Sequence, residues 1–599
     1  MSVDTANVIS NRNFKSLFQS QARYEIPFFQ RGYAWEKAQW DKLLEDIDAE
    51  ILSQVENGDY DNQEHFFGPV VVLEKMGGHH SLKRFLIIDG QQRITTVYLM
   101  LGVIMKMMQE KQTMSPEASS HITMLESLLF NNVEDADEYF RLKVFSTKGD
   151  RYPTFKALFD RNPRSPKLQE DMQLYVPTQN RVDQLVKYLR KNIKHKSVPE
   201  LWQLSQALLH SLKIVWIPLD GAKDDAQAIF ESLNAAGLPL SASELLCNYL
   251  FRPLTNDQTN EHEKLHNEKW LAAQHAVAEA GGNFEDYLRN LFSIGSNKMV
   301  GHGRRLYVFF KTKNRLLTHP IALARLDEIH DNTKYYNQAL KPDRFVIHNP
   351  ELRLLLTNIN ETSMDTARPF LMALLRGLDT GTMTESDVRA LMRETYVLLV
   401  RRKLTGLPTT KYDVLFPSLI SRIASEPDKI RAFQKAVRDE NVWVSNQELE
   451  DALIQRELYK PRELAFSRLV LQEIDRKLQP HGEYPDYTTI PTIEHVLPQT
   501  PDAQWKEYLG NDAASPDLNR LTNTLGNLGL NSISANSSFG RLPFSDKQKK
   551  YTGHQSALNR DITEWDENKE PWKLDAIRKR SKALAQVALQ VWKWTPDHN

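Results

Sequence analysis

Phe85-Leu86-Ile87-Ile88-Asp89-Gly90-Gln91-Gln92-Arg93-Ile94-Thr95-Thr96 is the stretch that decides the architecture of the first half of the chain. Its first four residues are apolar and rich in aromatic and β-branched types, which predicts a strand. From Ile94 to Met108 apolar residues recur at helical spacing, with no breaker before Met114-Ser115-Pro116, which predicts a helix. A strand that turns into a helix within three residues leaves the first helical N–H groups unpaired, and the helix dipole attracts anions to that spot. Gly90 lets a ligand come close to the backbone. Arg93 offers a two-pronged phosphate donor, and Gln91 and Gln92 offer amides. Asp89 is suited to hold a metal or to cap the helix. The junction has the make-up of a phosphate or nucleotide cradle; a plain cap with a surface ion pair is the alternative.

The α/β pattern continues outward from this junction. Phe66 to Leu73 (FFGPVVVL) and Lys213 to Leu219 (KIVWIPL) read as further strands, the latter leading into a helix over Asp225 to Leu233. Upstream lies Ile26-Pro27-Phe28-Phe29-Gln30-Arg31-Gly32-Tyr33-Ala34-Trp35. Aromatics beside proline are more often core than base-stacking platforms, so Phe28, Phe29, Tyr33 and Trp35 carry both readings and Arg31 is the better ligand contact. From 256 to 440 the pattern is helical throughout. Past 440 charged amphipathic helices run to a break at Gln479-Pro480-His481-Gly482, followed by a short Asn-rich mixed segment and a closing helix near Trp594. Three domains follow from this, at 1–255, 256–440 and 441–599.

Bulk properties set outer limits. A chain of 599 residues is too long for one core. Its net charge of −1 gives no overall preference for nucleic acid, although a local basic surface suffices for binding. The single cysteine, Cys247, excludes an internal disulfide framework and a cysteine zinc cluster, and its setting in Leu245-Leu246-Cys247-Asn248 predicts a buried, inert thiol. No run approaches the roughly 20 apolar residues that span a bilayer. The opening Met1-Ser2-Val3-Asp4-Thr5 lacks signal-peptide character, so a cytoplasmic protein without a membrane partner is expected.

The second informative segment is Pro491-Thr492-Ile493-Glu494-His495-Val496-Leu497-Pro498-Gln499. A β-branched stretch leads into an acid–histidine pair and is stopped by proline. Neighbouring strand residues face opposite sides, so Glu494 and His495 serve one site only where the strand ends or bends. Leu525-Gly526-Asn527-Leu528 and Ser534-Ala535-Asn536-Ser537-Ser538 follow.

This order resembles the ββα-metal, or HNH, nucleases, in which a hairpin carries the acid–histidine pair, a loop an Asn, and a helix a final His or Asn. With Phe544-Ser545-Asp546-Lys547, Tyr551, Trp565, Ile577 and Arg580, it looks like the nuclease half of the GmrSD family of type IV restriction enzymes. IDGQQRITT (Ile88–Thr96), the Arg31-Gly32-Tyr33-Ala34-Trp35 motif, Phe67-Gly68, Ile229 to Asn234 and Gly237 to Ser241 resemble that family's N-terminal half. The resemblance implies a multidomain, predominantly helical α+β protein. Its N-terminal domain would be α/β, like the ParB and sulfiredoxin nucleotide-binding domains, its middle helical, and its HNH nuclease embedded in C-terminal helices.

By the same resemblance His495 is the general base, whose ordinary pKa near 6.5 suits the task. Glu494 and Asn536 supply oxygen ligands to Mg²⁺ or Mn²⁺, Asn527 orients the base or braces the loop, and Lys547 touches a phosphate. Arg31, Asp89, Gly90, Gln91, Gln92, Arg93 and Thr95 are the candidate residues for a nucleoside triphosphate. The implied activity is metal-dependent cutting of double-stranded DNA carrying modified cytosines, in anti-phage defence, gated by NTP binding and hydrolysis. A phosphorothioate-sensing nickase and a non-enzymatic DNA-binding regulator are the rival readings. Whether the protein acts as a homodimer stays open.

Overall fold

The computed structural model describes residues 9–55, 58–75, 82–111, 115–133, 138–159, 161–173, 175, 180–219, 240–254, 259–480, 491–532, 539–564 and 571–594. The protein is 64% helical with a small mixed sheet, a multidomain α+β architecture. It divides into two compact units, Met1–Trp270 with Lys311–Leu326, and Leu271–Phe310 with Asp327–Asn599. Among the described residues no helix is long and apolar enough to cross a membrane.

The first unit is built on one six-stranded sheet. Strands β1 (Ser10–Asn13), β2 (Ala22–Glu25), β3 (His65–Lys75), β4 (Lys83–Asp89), β5 (Val144–Phe145) and β6 (Leu212–Leu219) lie in the order β1-β6-β3-β4-β2-β5. The three apolar runs picked out in the sequence are β3, β4 and β6. β3 pairs parallel with β6 and antiparallel with β4. Val70, Val71 and Val72 of β3 are fully buried, as a strand covered on both faces requires. Helix α1 (Gln91–Glu110) starts directly after β4 and Gly90. Its apolar residues surround the helix rather than forming a stripe, so it runs through the core, and Tyr98 within it satisfies its hydroxyl on the Leu129 carbonyl at 2.8 Å. Burying each Ile or Leu side chain of α1 stabilises the unit by about 1.5–3 kcal/mol. Helix α2 (Ala242–Phe251) holds Cys247, where burial drives the thiol pKa well above its ordinary value and keeps it unreactive. The helix expected over Asp225 to Leu233 lies outside the described residues.

The second unit is helical over Leu271–Phe310 and from Asp327 to Leu478. The helices on either side of residue 440 share this unit: in α3 (Glu385–Thr405), Arg401 is fully buried and donates to the carbonyls of Val444 and Trp592. Arg402 donates to the Val442 carbonyl. These two cations therefore tie backbone segments together and do not present a phosphate contact. After α4 (Leu464–Leu478), strands β7 (Thr492–His495) and β8 (Leu528–Asn531) form an antiparallel pair, with Glu494 opposite Gly529 and His495 opposite Leu528. Helices α5 (Phe544–Tyr551) and α6 (Leu574–Val591) enclose this pair over a core that includes Val496, Leu497, Trp505, Phe544, Trp572 and Ile577.

Candidate active site

β7 runs through His495, one residue beyond Glu494, and the alternation of the strand puts the acid and the histidine on opposite faces. Glu494 faces inward. Its side chain is 4% exposed and accepts from Lys547 Nζ at 2.7 Å, with the Tyr551 hydroxyl at 3.5 Å. Lys547 is fully buried, and its ammonium also donates to the His495 carbonyl at 2.7 Å. Burial raises the Glu494 pKa and lowers that of Lys547, while mutual attraction opposes both shifts. At this distance a proton sits between the two groups in either state, so the pair is closed. The expected phosphate contact by Lys547 is corrected accordingly: its ammonium has no open face.

The expected metal ligands are Glu494 and Asn536. Lys547 holds Glu494 Oε1, and among the described residues no three His, Cys, Asp or Glu side chains gather closely enough to hold a metal ion. Asn536, the expected second ligand, lies outside the described residues.

His495 lies on the other face. Its Nε2 is 3.2 Å from Asn523 Oδ1, the Gln499 amide donates to the same oxygen at 2.7 Å, and the Tyr459 ring packs edge-on at 4.6 Å between centroids. Burial lowers the imidazole pKa to about 4, with Asn523 opposing that shift and Lys547 adding to it. The ring is therefore neutral near pH 7 and able to take up a proton.

Asn527 is fully buried. Its Oδ1 accepts from the Leu497 amide at 2.8 Å, and its Nδ2 donates to the carbonyls of Leu497 and Thr522, each at 2.8 Å. Of the two expected roles this is the brace: the side chain imitates a strand neighbour and holds the loop that turns back at Pro498. Gly526 is required by a close approach, since a Cβ there would lie 2.1 Å from the Ile577 carbonyl oxygen on α6. From the same helix Arg580, 1% exposed, donates to the carbonyls of Gly526, Leu528 and Leu558. Asn523, Gln499 and Tyr459 escaped the sequence reading. Gln499 stood inside the quoted segment and Asn523 just before Leu525-Gly526-Asn527, whereas nothing local marked Tyr459.

At the β4–α1 junction, Asp89 and Arg93 lie 4.0 Å apart, and Arg31 is within electrostatic reach of Asp89. Burial raises the Asp89 pKa, opposed by Arg93, the Gly90 amide and Arg31. Gly90 has φ +95°, and a Cβ there would lie 2.8 Å from Val70 Cγ2, so the close approach is made by β3 and not by a ligand. At Gly68, φ +116°, the Arg93 guanidinium takes the space a Cβ would need, and Arg93 Nη1 donates to the Pro69 carbonyl at 2.9 Å. Gln92 is committed elsewhere: it accepts from the Ala34 amide at 2.7 Å and donates to the Gly32 carbonyl at 3.1 Å. Gln91 and Thr95 are buried. The junction thus gathers Arg31, Asp89, Gly90 and Arg93, with Gln92 as the clamp on the Arg31 loop. Phe28 and Phe29, both half-buried, pack on Phe251, half-buried Trp35 packs on Phe67, and Tyr33 is buried in the core. Residues 229–234 and 237–239, and Trp565, lie outside the described residues.

A family model described as the GmrSD restriction endonuclease N-terminal domain matches residues 14–251, and one described as the GmrSD C-terminal domain matches residues 443–587. Together they cover more than half of the chain. No curated protein matches it.

Proposed function

Since the chain belongs to the GmrSD restriction endonuclease family, we propose that His495 is the general base with which it hydrolyses DNA phosphodiesters. The His495 imidazole at the end of β7, held at Nε2 by Asn523 and flanked by the Tyr459 ring, is the observation that carries this reading. Such a ring takes a proton from water as the water oxygen attacks phosphorus, and the bond from phosphorus to the leaving sugar oxygen breaks. With Glu494 closed on Lys547, no step is assigned to a bound cation. The substrate class in this reading is DNA with modified cytosines, hydroxymethylated or glucosylated.

The first unit is the nucleotide-responsive part. Support comes from Arg31, Asp89, Gly90 and Arg93 at the start of α1, a helix whose first amides face an anion readily. Beside them Gln30 donates to the Ile88 carbonyl at 3.2 Å, while its buried Oε1 has no hydrogen-bond partner among the described residues. That oxygen is an acceptor for a ligand N–H or hydroxyl.

A digestion panel tests both parts. Unmodified, methylated, hydroxymethylated, glucosylated and phosphorothioated duplexes are incubated with Mg²⁺, with Mn²⁺ or with EDTA, with and without each NTP. Cutting confined to modified cytosine, and abolished in His495→Ala, is the expected result. Full activity of His495→Ala removes the base assignment, and indifference to modification removes the substrate class.

A further inference from the structure

Resting on that reading, we propose that Asn523 is the positioning residue for His495. It fixes the ring as the tautomer protonated on Nε2 and leaves Nδ1 as the nitrogen that receives the proton from water. The hydrogen-bond directions decide the point. Asn523 Nδ2 lies 3.2 Å from the Asn519 carbonyl oxygen, which can only accept, so the amide nitrogen must face that way. Oδ1 therefore faces the other way, where the Gln499 amide donates to it at 2.7 Å and His495 Nε2 lies at 3.2 Å. An amide oxygen has no proton to give, so the proton in this contact belongs to Nε2. A neutral imidazole carries only one N–H, and Nδ1 is left with its lone pair.

Asn523 is itself held in place. Its carbonyl accepts from the amides of Leu458 at 2.8 Å and Tyr459 at 3.0 Å, so the segment that seats the Tyr459 ring against His495 also anchors the residue that orients it. The two asparagines of this region divide the work: Asn527 holds the loop backbone and Asn523 holds the base.

The test uses the full-length protein with ¹⁵N-labelled histidine, the His495 ring being assigned from its loss in His495→Gln. At pH 7 the wild-type ring shows a protonated Nε2 and a bare Nδ1. Asn523→Leu, which keeps the volume but removes the acceptor, lets the Nε2 proton exchange with water and loses its hydrogen-bonded shift. On glucosylated hydroxymethylcytosine duplex with Mg²⁺, the same change lowers kcat about 10- to 100-fold at nearly unchanged KM. Asn523→Asp keeps an acceptor oxygen and restores both the ring signature and most of kcat. A wild-type ring protonated on Nδ1, or an Asn523→Leu ring indistinguishable from wild type, overturns the proposal. The wild-type measurement stands even where a variant folds poorly. A His495→Ala protein that still cuts removes the base assignment and leaves the ring measurement intact, so the two failures are told apart.

Discussion

Replacing Lys547 by Met separates a structural role from a phosphate contact. Met has nearly the volume of Lys, so packing in α5 is kept while the ammonium is lost. The structure sets the size of the effect. The Lys547 side chain is 0% and the Glu494 side chain 4% exposed, and they meet at 2.7 Å. Without Lys547 the carboxylate keeps, among the described residues, the Tyr551 hydroxyl at 3.5 Å, and the His495 carbonyl loses its 2.7 Å donor. Breaking a buried pair from one side costs about 3–5 kcal/mol, lowered somewhat when the stranded acid takes up a proton. The double variant Glu494→Gln/Lys547→Met buries no net charge and recovers at least ~2 kcal/mol of that loss, as coupled neighbours do. Urea unfolding followed by tryptophan fluorescence reads this through Trp505 and Trp572, which lie in the core beside the pair. A Lys547→Met protein that loses less than about 1 kcal/mol yet no longer cuts DNA would refute the closed pair and restore the lysine to the phosphate.

Two further changes probe features away from that pair. Gly526→Ala places a Cβ 2.1 Å from the Ile577 carbonyl oxygen and 2.7 Å from the Ser581 amide, so backbone has to move; a loss of about 1–3 kcal/mol in urea unfolding is expected, and a neutral result would contradict the tight seat of this loop on α6. His266 packs against Phe28 and Phe251, and burial lowers its pKa from 6.5 to about 4. Between those values the unfolded chain binds a proton that the native state refuses, so the contribution of His266 to stability rises with pH from about 4 to about 6.5, by up to about 3 kcal/mol, while Asp171, raised to about 6 by burial, contributes the opposite slope. His266→Phe removes that slope in unfolding measured at pH 4.5 and pH 7, and an unchanged slope would place the titration elsewhere.

Much of the fold was legible because period and punctuation act locally. FFGPVVVL, FLII and KIVWIPL are strands, and the helix after Asp89 begins where Gly90 permits a left-handed turn. Cys247 is buried on a helix as its neighbours implied. The end of β7 at His495 was likewise written in Val-Leu-Pro. The limits came from contacts between distant residues. Nothing near Lys547 in the sequence announces that its partner is Glu494 on another element, so an exposed phosphate contact was the natural expectation. Gly90 was read as room for a ligand because the glycine shows in sequence, while β3, which takes that room, does not. Asn527 offered two roles, and only its bonds to Leu497 and Thr522 separate the brace from the orienting residue.

Arg580 adds a temporal consequence. It grips the carbonyl of Gly526 from 54 residues downstream and that of Leu528 from 52, so the loop between the two arms of the hairpin stays unclamped until α6 has been synthesised and docked. During translation, which proceeds from the N-terminal side, His495 emerges well before the residue that finishes its surroundings. A nascent chain therefore carries His495 before Arg580 has taken hold of the Gly526 and Leu528 carbonyls beside it.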